Sequence, residues 1–251
     1  MERLITLRNQ TSLARVPPEY LPLLGDVTAL LQAALGPTLR EVRVLGSVAR
    51  GNAVPGSSDL DVLAVTLEDV PEDVRRDLDK RTRALAAQYP LVTKVDLQMM
   101  SDGAIAAHPE YELIVRTDSF CLTGEDRYTT GEVTLPVAQL ADLWHPDIDG
   151  ILRDYETALR NPTLPADEVV RYTRLTGKDM LKCFQRRRLL EHGIYERDME
   201  FVYEALRRHL PGDAPLFDRL WAMYCHPTAG RDAAIAVLEA CREAKARILT
   251  E

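Results

Sequence analysis

Ser58-Asp59-Leu60-Asp61-Val62-Leu63-Ala64-Val65 sets two carboxylates at i and i+2 against an otherwise apolar run. A run of this length with turn residues before it predicts a strand over 60–65. Side chains alternate along a strand, so Asp59 and Asp61 project from one face, roughly 7 Å apart at their roots. Two like charges there repel, and near a core each also loses hydration. A divalent cation removes both objections, since Mg²⁺ takes carboxylate oxygens and keeps positions open for water and substrate phosphates. A third acid, Asp96, stands in Lys94-Val95-Asp96-Leu97, inside a further strand expected over 91–99. If the two strands are neighbours the three acids converge, an arrangement suited to the two-metal clamp of an in-line displacement at phosphorus.

Upstream, Arg40-Glu41-Val42-Arg43-Val44-Leu45 alternates apolar and charged residues, as a strand entering a sheet does. It runs into Gly46-Ser47, a turn that opens a short helix. Backbone N–H groups and a serine hydroxyl at such a turn hold phosphate oxygens, and glycine lets the backbone come close. The stretch that follows, to Ser58, is rich in small residues and breakers and reads as loop.

Around this centre, residues 1–19 begin irregularly, and a helix over 20–35 is stopped by Gly36-Pro37. A helix is expected over 71–88, another over 101–116, and a short strand over 120–122 before Gly124. After Pro136 the apolar period is helical throughout, with helices over 137–160, 166–189, 195–209, 214–224 and 229–249. The expected fold is therefore an α/β half with a small mixed sheet, residues 1–130, followed by an all-helical half, residues 131–251.

Of 251 residues, 46% are apolar, enough for a substantial core. Thirty-one basic against 39 acidic residues give a net charge of −8 and aromatics are 6%, which argues against a general nucleic-acid binder. The acidity is uneven: residues 151–251 carry 17 basic and 16 acidic side chains, while residues 1–150 carry 14 and 23. No run reaches a membrane span or a signal peptide. Cys121, Cys183, Cys225 and Cys241 lie far apart with no metal-ligand spacing, as free thiols in a reducing compartment do. The expectation is a cytoplasmic protein.

The ordered set Leu45-Gly46-Ser47, Asp59-Leu60-Asp61 and a distal apolar-Asp-apolar at Asp96 resembles the polymerase-beta-like nucleotidyltransferase superfamily. The longer string Gly46-Ser47-Val48-Ala49-Arg50-Gly51, then Ser57-Ser58-Asp59-Leu60-Asp61, is similar to its bacterial branch of antibiotic and minimal nucleotidyltransferases. Leu122-Thr123-Gly124-Glu125-Asp126 is similar to a Leu-x-Gly-Glu/Asp turn of that branch. The resemblance covers roughly 25–130. It implies metal ligation, with two Mg²⁺ ions, by Asp59, Asp61 and Asp96, and phosphate contacts from Gly46 and Ser47. One departure matters, because many relatives carry Arg directly after that serine and here Val48 stands there.

In the helical half, Arg171, Arg174, Lys178, Lys182 and Arg186 recur at steps of three and four, within about 120° of one helix face. Such a stripe suits either a solvated surface or neutralisation of a polyphosphate, for which Lys178 is the central residue. Arg186-Arg187-Arg188 reads as a solvated helix end, Trp144 and Trp221 as packing residues, and the five histidines, His145 among them, as surface or capping groups. Asp154, Glu156 and Asp179 are helix-surface acids.

The resemblance implies Mg²⁺-dependent transfer of a nucleoside monophosphate, AMP from ATP in the simplest case, to a hydroxyl of a small-molecule acceptor, with release of pyrophosphate. An acidic α/β half suits a cationic acceptor. Nucleotidylation of a protein partner and a catalytically silent nucleotide-binding module are the alternatives.

Overall fold

The computed structural model describes residues 2–143 and 147–249, so Trp144 and His145 lie outside the described residues. The chain divides into two units, Thr6–Thr134 and Met1–Ile5 with Leu135–Glu251.

The first unit runs β1 (Leu4–Arg8), α1 (Leu21–Leu35), β2 (Leu39–Leu45), α2 (Gly46–Arg50), β3 (Leu60–Thr66), α3 (Glu72–Ala86), β4 (Val95–Ser101), α4 (Asp102–Ala107), α5 (Pro109–Thr117), β5 (Ser119–Gly124) and β6 (Glu132–Pro136). Four strands form one sheet in the order β4-β3-β2-β5. β2 is antiparallel to both β3 and β5, while β3 and β4 are parallel with α3 crossing between them. A mixed sheet follows, as expected.

β3 is buried on both faces, which explains why it reads as a continuous apolar run. Leu60, Val62 and Ala64 share a core with Val42 and Val44 of β2, Leu23, Leu24, Val27 and Leu31 of α1, and Leu78 of α3. Burying each leucine there contributes about 1.5–3 kcal/mol. On the opposite face Leu63 and Val65 pack on Ile105 of α4 and Val115 of α5. Asp59 and Asp61 share the face of Leu63 and Val65 but stay half-buried. The sheet thus keeps one apolar slab under the acids.

Several elements depart from expectation for identifiable reasons. β4 starts at Val95 and not Leu91, because residues 91–94 form a turn whose apolar members Leu91 and Val92 still pack in the core. The helix expected over 101–116 is two helices, since Pro109 cannot continue α4 and leaves His108 extended at φ −124, ψ 90. β1 and β6 were not expected; they pair as a two-stranded ribbon joined by Thr6 and Thr134 hydroxyls 2.8 Å apart. Glu41 and Arg43, the charged positions of the alternating strand, are 1% and 0% exposed.

The second unit is helical: α6 (Val137–Leu143), α7 (Ile148–Arg160), α8 (Ala166–His192), α9 (Met199–His209), α10 (Ala214–Cys225) and α11 (Arg231–Leu249). The helix expected over 137–160 is two, α6 and α7, and α7 starts at the Asp147 cap, whose carboxylate accepts the Gly150 N–H at 2.9 Å. α9 begins at Met199, not 195, where the Asp198 carboxylate caps the Glu200 N–H. Phe184 and Met180 of α8, Phe217 and Leu220 of α10 and Leu238 of α11 form the centre of its core. α8 and α10 approach closely at Gly177, where a Cβ would lie 2.4 Å from the Leu220 carbonyl oxygen. Among the described residues no helix is long and apolar enough to cross a membrane.

Candidate active site

The parallel ladder sets Asp61 of β3 directly beside Asp96 of β4. Asp59 is brought in by the turn that precedes β3. The Ser58 hydroxyl accepts the Val54 N–H at 2.9 Å, the Ser58 carbonyl accepts the Thr93 N–H at 3.0 Å, and the Leu60 N–H donates to the Lys94 carbonyl at 3.0 Å. The start of β3 is therefore stitched to the start of β4. One carboxylate oxygen from each of Asp59, Asp61 and Asp96 lies within 4.8 Å of the other two.

Gly46 and Ser47 stand on the other side of Asp61, because Leu45 of β2 pairs with Asp61 across the antiparallel ladder. Gly46 has φ +70, and a Cβ built on it would sit 2.0 Å from Asp61 Oδ2. Glycine is needed here twice, for the backbone angle and for the carboxylate beside it. Ser47 is half-buried in the first turn of α2, while Val48 and Ala49 turn into the core with no exposure. Val48 is thus a packing residue and has no access to a phosphate. Arg50 offers no replacement, since its Nη1 donates to both carboxylate oxygens of Asp118 at 2.8 and 2.9 Å.

Three half-buried carboxylates at this spacing repel one another, and one cation of the chain is already among them. The Lys94 Nζ donates to Asp96 Oδ2 at 2.7 Å. Lys94, immediately before β4, stands two residues from Asp96, so the pair was readable from the quoted tetrapeptide, although no role was expected of Lys94. The donor set fits Mg²⁺: the atoms are hard oxygens, and oxygens around one such ion stand about 3–4 Å apart, within a small side-chain adjustment of the separations here.

A second acidic group, Glu41, Cys121 and Asp126, also lies within 4.8 Å. Here the cation is built in. Arg43 is wholly buried; its Nη1 donates to Glu41 Oε2 at 2.5 Å and to Asp126 Oδ1 at 3.2 Å, and its Nε donates to the Ser119 hydroxyl at 2.9 Å. The remaining Glu41 oxygen accepts the Arg127 N–H at 2.8 Å, which pins the segment after Leu122-Thr123-Gly124-Glu125-Asp126 against β2. Burial pushes the Cys121 thiol above its ordinary value, so it is a poor thiolate donor. Burial also works against ionisation of Asp126, but bonds from Thr129 and Arg43 outweigh it and hold that carboxyl below the usual range. This group fastens a loop.

Lys178 belongs to the helical unit, half-buried on α8 next to Gly177. Its stripe is not a plain solvated face. Arg171 pairs with Glu168 at 2.7 Å and lies over the Tyr172 ring at 4.5 Å, and Arg174 lies over the Tyr224 ring at 5.4 Å. Arg188, expected at a solvated helix end, is 3% exposed. The helix acids are engaged as well: Asp179 accepts from the Tyr155 hydroxyl at 2.5 Å, and Glu156 bonds Arg160 and Arg242.

Residues 31–112 match the family model of the nucleotidyltransferase domain, and the matched stretch contains Gly46, Ser47, Asp59, Asp61 and Asp96. No curated protein matches the chain in sequence. Among solved structures, spectinomycin adenyltransferase from Enterococcus faecialis, crystallised with ATP and spectinomycin, superposes with a TM-score of 0.56 at 12% identity, over 89% of this chain and 99% of that one. A nucleotidyltransferase-like protein from Exiguobacterium sibiricum, also 12% identical, reaches a TM-score of only 0.27 over 88% of this chain and 75% of that one. Residues 31–112 thus match a nucleotidyltransferase domain, and the fold of the chain is like that of a spectinomycin adenyltransferase.

Proposed function

We propose that the protein transfers a nucleoside monophosphate, AMP from ATP, to a hydroxyl of a small cationic acceptor and releases pyrophosphate. The observation that carries this is the convergence of Asp59, Asp61 and Asp96 beside the Gly46-Ser47 turn, inside the matched domain. The fold likeness to an adenyltransferase crystallised with ATP and spectinomycin supports the choice of nucleotide and of a small-molecule acceptor. So does the acidity of residues 1–150, which draws cations toward this half.

Asp59, Asp61 and Asp96 would hold Mg²⁺, which supplies Lewis-acid stabilisation of charge on the transferring phosphoryl group. The Ser47 hydroxyl and the backbone N–H groups at the Gly46 turn hold and orient the distal phosphates. Lys178 of the helical unit, half-buried on α8, is kept as a proposed phosphate contact. The acceptor oxygen forms its bond to the α-phosphorus as the bond from that phosphorus to the bridging oxygen breaks. Pyrophosphate departs with that oxygen, and the acceptor's proton passes to the Asp96 carboxylate. We place the reaction in the cytoplasm, where ATP is supplied and the four free thiols stay reduced.

The test is incubation with ATP labelled at the α-phosphate, Mg²⁺ and a panel of aminocyclitols and aminoglycosides. Label appears on a small molecule with release of pyrophosphate, and the Asp59→Asn, Asp61→Asn chain transfers none while melting as the native chain does. Label on a protein partner, or on nothing, refutes the acceptor class; full transfer by the double variant refutes the site.

A further inference from the structure

The Lys94–Asp96 pair sits where the proposed function puts a metal ligand, and the inference below rests on that reading. Two structural facts bear on it. The Lys94 main chain is held beside the acids, because its carbonyl accepts the Leu60 N–H at 3.0 Å at the head of the ladder that aligns Asp61 with Asp96. Its side chain is held only through the pair with Asp96, and that pair is open to water: the Lys94 side chain is 53% exposed and that of Asp96 40%. The ammonium is therefore anchored at its root and weakly tied at its tip.

An ammonium and a divalent cation compete for the same carboxylate, since both seek its oxygens and each repels the other. Asp96 is bound to Lys94 through Oδ2 at 2.7 Å. Asp61 stands one strand away on β3, with Asp59 immediately before that strand. We propose that Lys94 is a displaceable counter-cation of the third acid: Asp59 and Asp61 take a divalent cation by themselves, and Asp96 joins only when the Lys94 ammonium swings off. Lys94 is in this sense a positioning residue. It screens the three carboxylates from one another while the site is open, and it withholds the third ligand, and with it the proton acceptor of the proposed reaction, until the cation has arrived. The exposure of both side chains makes the exchange cheap, because an exposed ion pair is weak.

The experiment is a titration of the full chain with Mn²⁺, followed by the paramagnetic signal of free Mn²⁺, in the native protein, Lys94→Met, Asp96→Asn and the double variant. Lys94→Met tightens Mn²⁺ binding by up to about fivefold in the native background, the ceiling set by an exposed pair. In the Asp96→Asn background the same substitution changes it by less than about twofold, since there is no pair left to break. An equal gain in both backgrounds would mean plain charge repulsion and overturns the proposal, as does no gain in the native background. The Asp59→Asn, Asp61→Asn chain loses Mn²⁺ binding; if it binds as tightly as the native chain, the site itself is misplaced and the proposed function falls with this inference. Failure confined to the Lys94 variants overturns the inference alone.

Discussion

Replacing Gly46 by alanine tests the geometry of the site with one methyl group. Two costs are readable. The residue sits at φ +70, and an L side chain in the left-handed region costs about 1–2 kcal/mol. The new Cβ would lie 2.0 Å from Asp61 Oδ2, whereas a carbon–oxygen contact needs roughly 3.3 Å. The carboxylate must retreat by roughly 1.3 Å, against a tolerance of about 0.5 Å for a working constellation. A misplacement of that size costs on the order of 10²-fold in rate. The expected result is therefore a chain that folds, melts about 2–8 °C lower, and transfers nucleotide about 10²-fold more slowly with weakened Mn²⁺ binding. The assays are thermal denaturation by circular dichroism, single-turnover transfer and Mn²⁺ titration. Adding Asp61→Ala to Gly46→Ala relieves the contact but not the backbone strain, so the double variant should regain part of the lost melting temperature and none of the activity. Transfer within about threefold of native by Gly46→Ala would refute the claim that this turn holds Asp61 in register.

Three further outcomes follow from other parts of the molecule. Arg43→Met leaves the Glu41 carboxylate buried without its cation, and unfolding by urea should register a loss of about 3–5 kcal/mol, partly recovered by adding Glu41→Gln; a loss under about 1 kcal/mol would contradict the buried pair. Cys183 and Cys241, whose thiols burial pushes up to about 12, should resist a thiol reagent at pH 8 until the chain unfolds, while exposed Cys225 reacts first; prompt labelling of Cys183 in the native state would be inconsistent with that core. Asp126 is held below the usual carboxylate range despite burial, by Thr129 and Arg43. Its contribution is therefore complete above the unfolded value near 3.8 and is lost as pH falls through the lower folded value. Asp126→Asn should flatten the acid limb of the melting profile below about pH 4 and leave the neutral region less affected; an unchanged acid limb would argue that Asp126 is unpaired in solution.

The centre of the α/β unit was legible because its signals are local. Alternation put Asp59 and Asp61 on one face of β3, and the apolar residues around Asp96 made β4. The break at Pro109 had a local signal too, since proline has no N–H to continue α4, but a single helix over 101–116 was expected there. The ribbon of β1 and β6 was not, because each strand is five residues long and its partner lies more than 120 positions away. Nor was the burial of Glu41 and Arg43: a charged residue in a strand reads as solvated unless its counter-charge is known, and here part of that counter-charge comes from Asp126 on a distant loop. Lys94 was visible as a neighbour of Asp96, but only coordinates put its ammonium on Oδ2.

The register between β3 and β4 works as a ruler laid by the main chain. Asp96 owes its place to where the ladder begins, at the Leu60 N–H and the Lys94 carbonyl. Exposed positions along α3 can therefore vary without disturbing the acids. A single residue removed from 90–93 would behave differently: the strand could still zip onto its neighbour, yet Asp96 would rotate to the opposite face and Val95 or Leu97 would occupy its slot. Such a chain would lose its third carboxylate and turn the buried Val95 and Met99 out of the core, so the length of that short turn constrains the site more than its composition does.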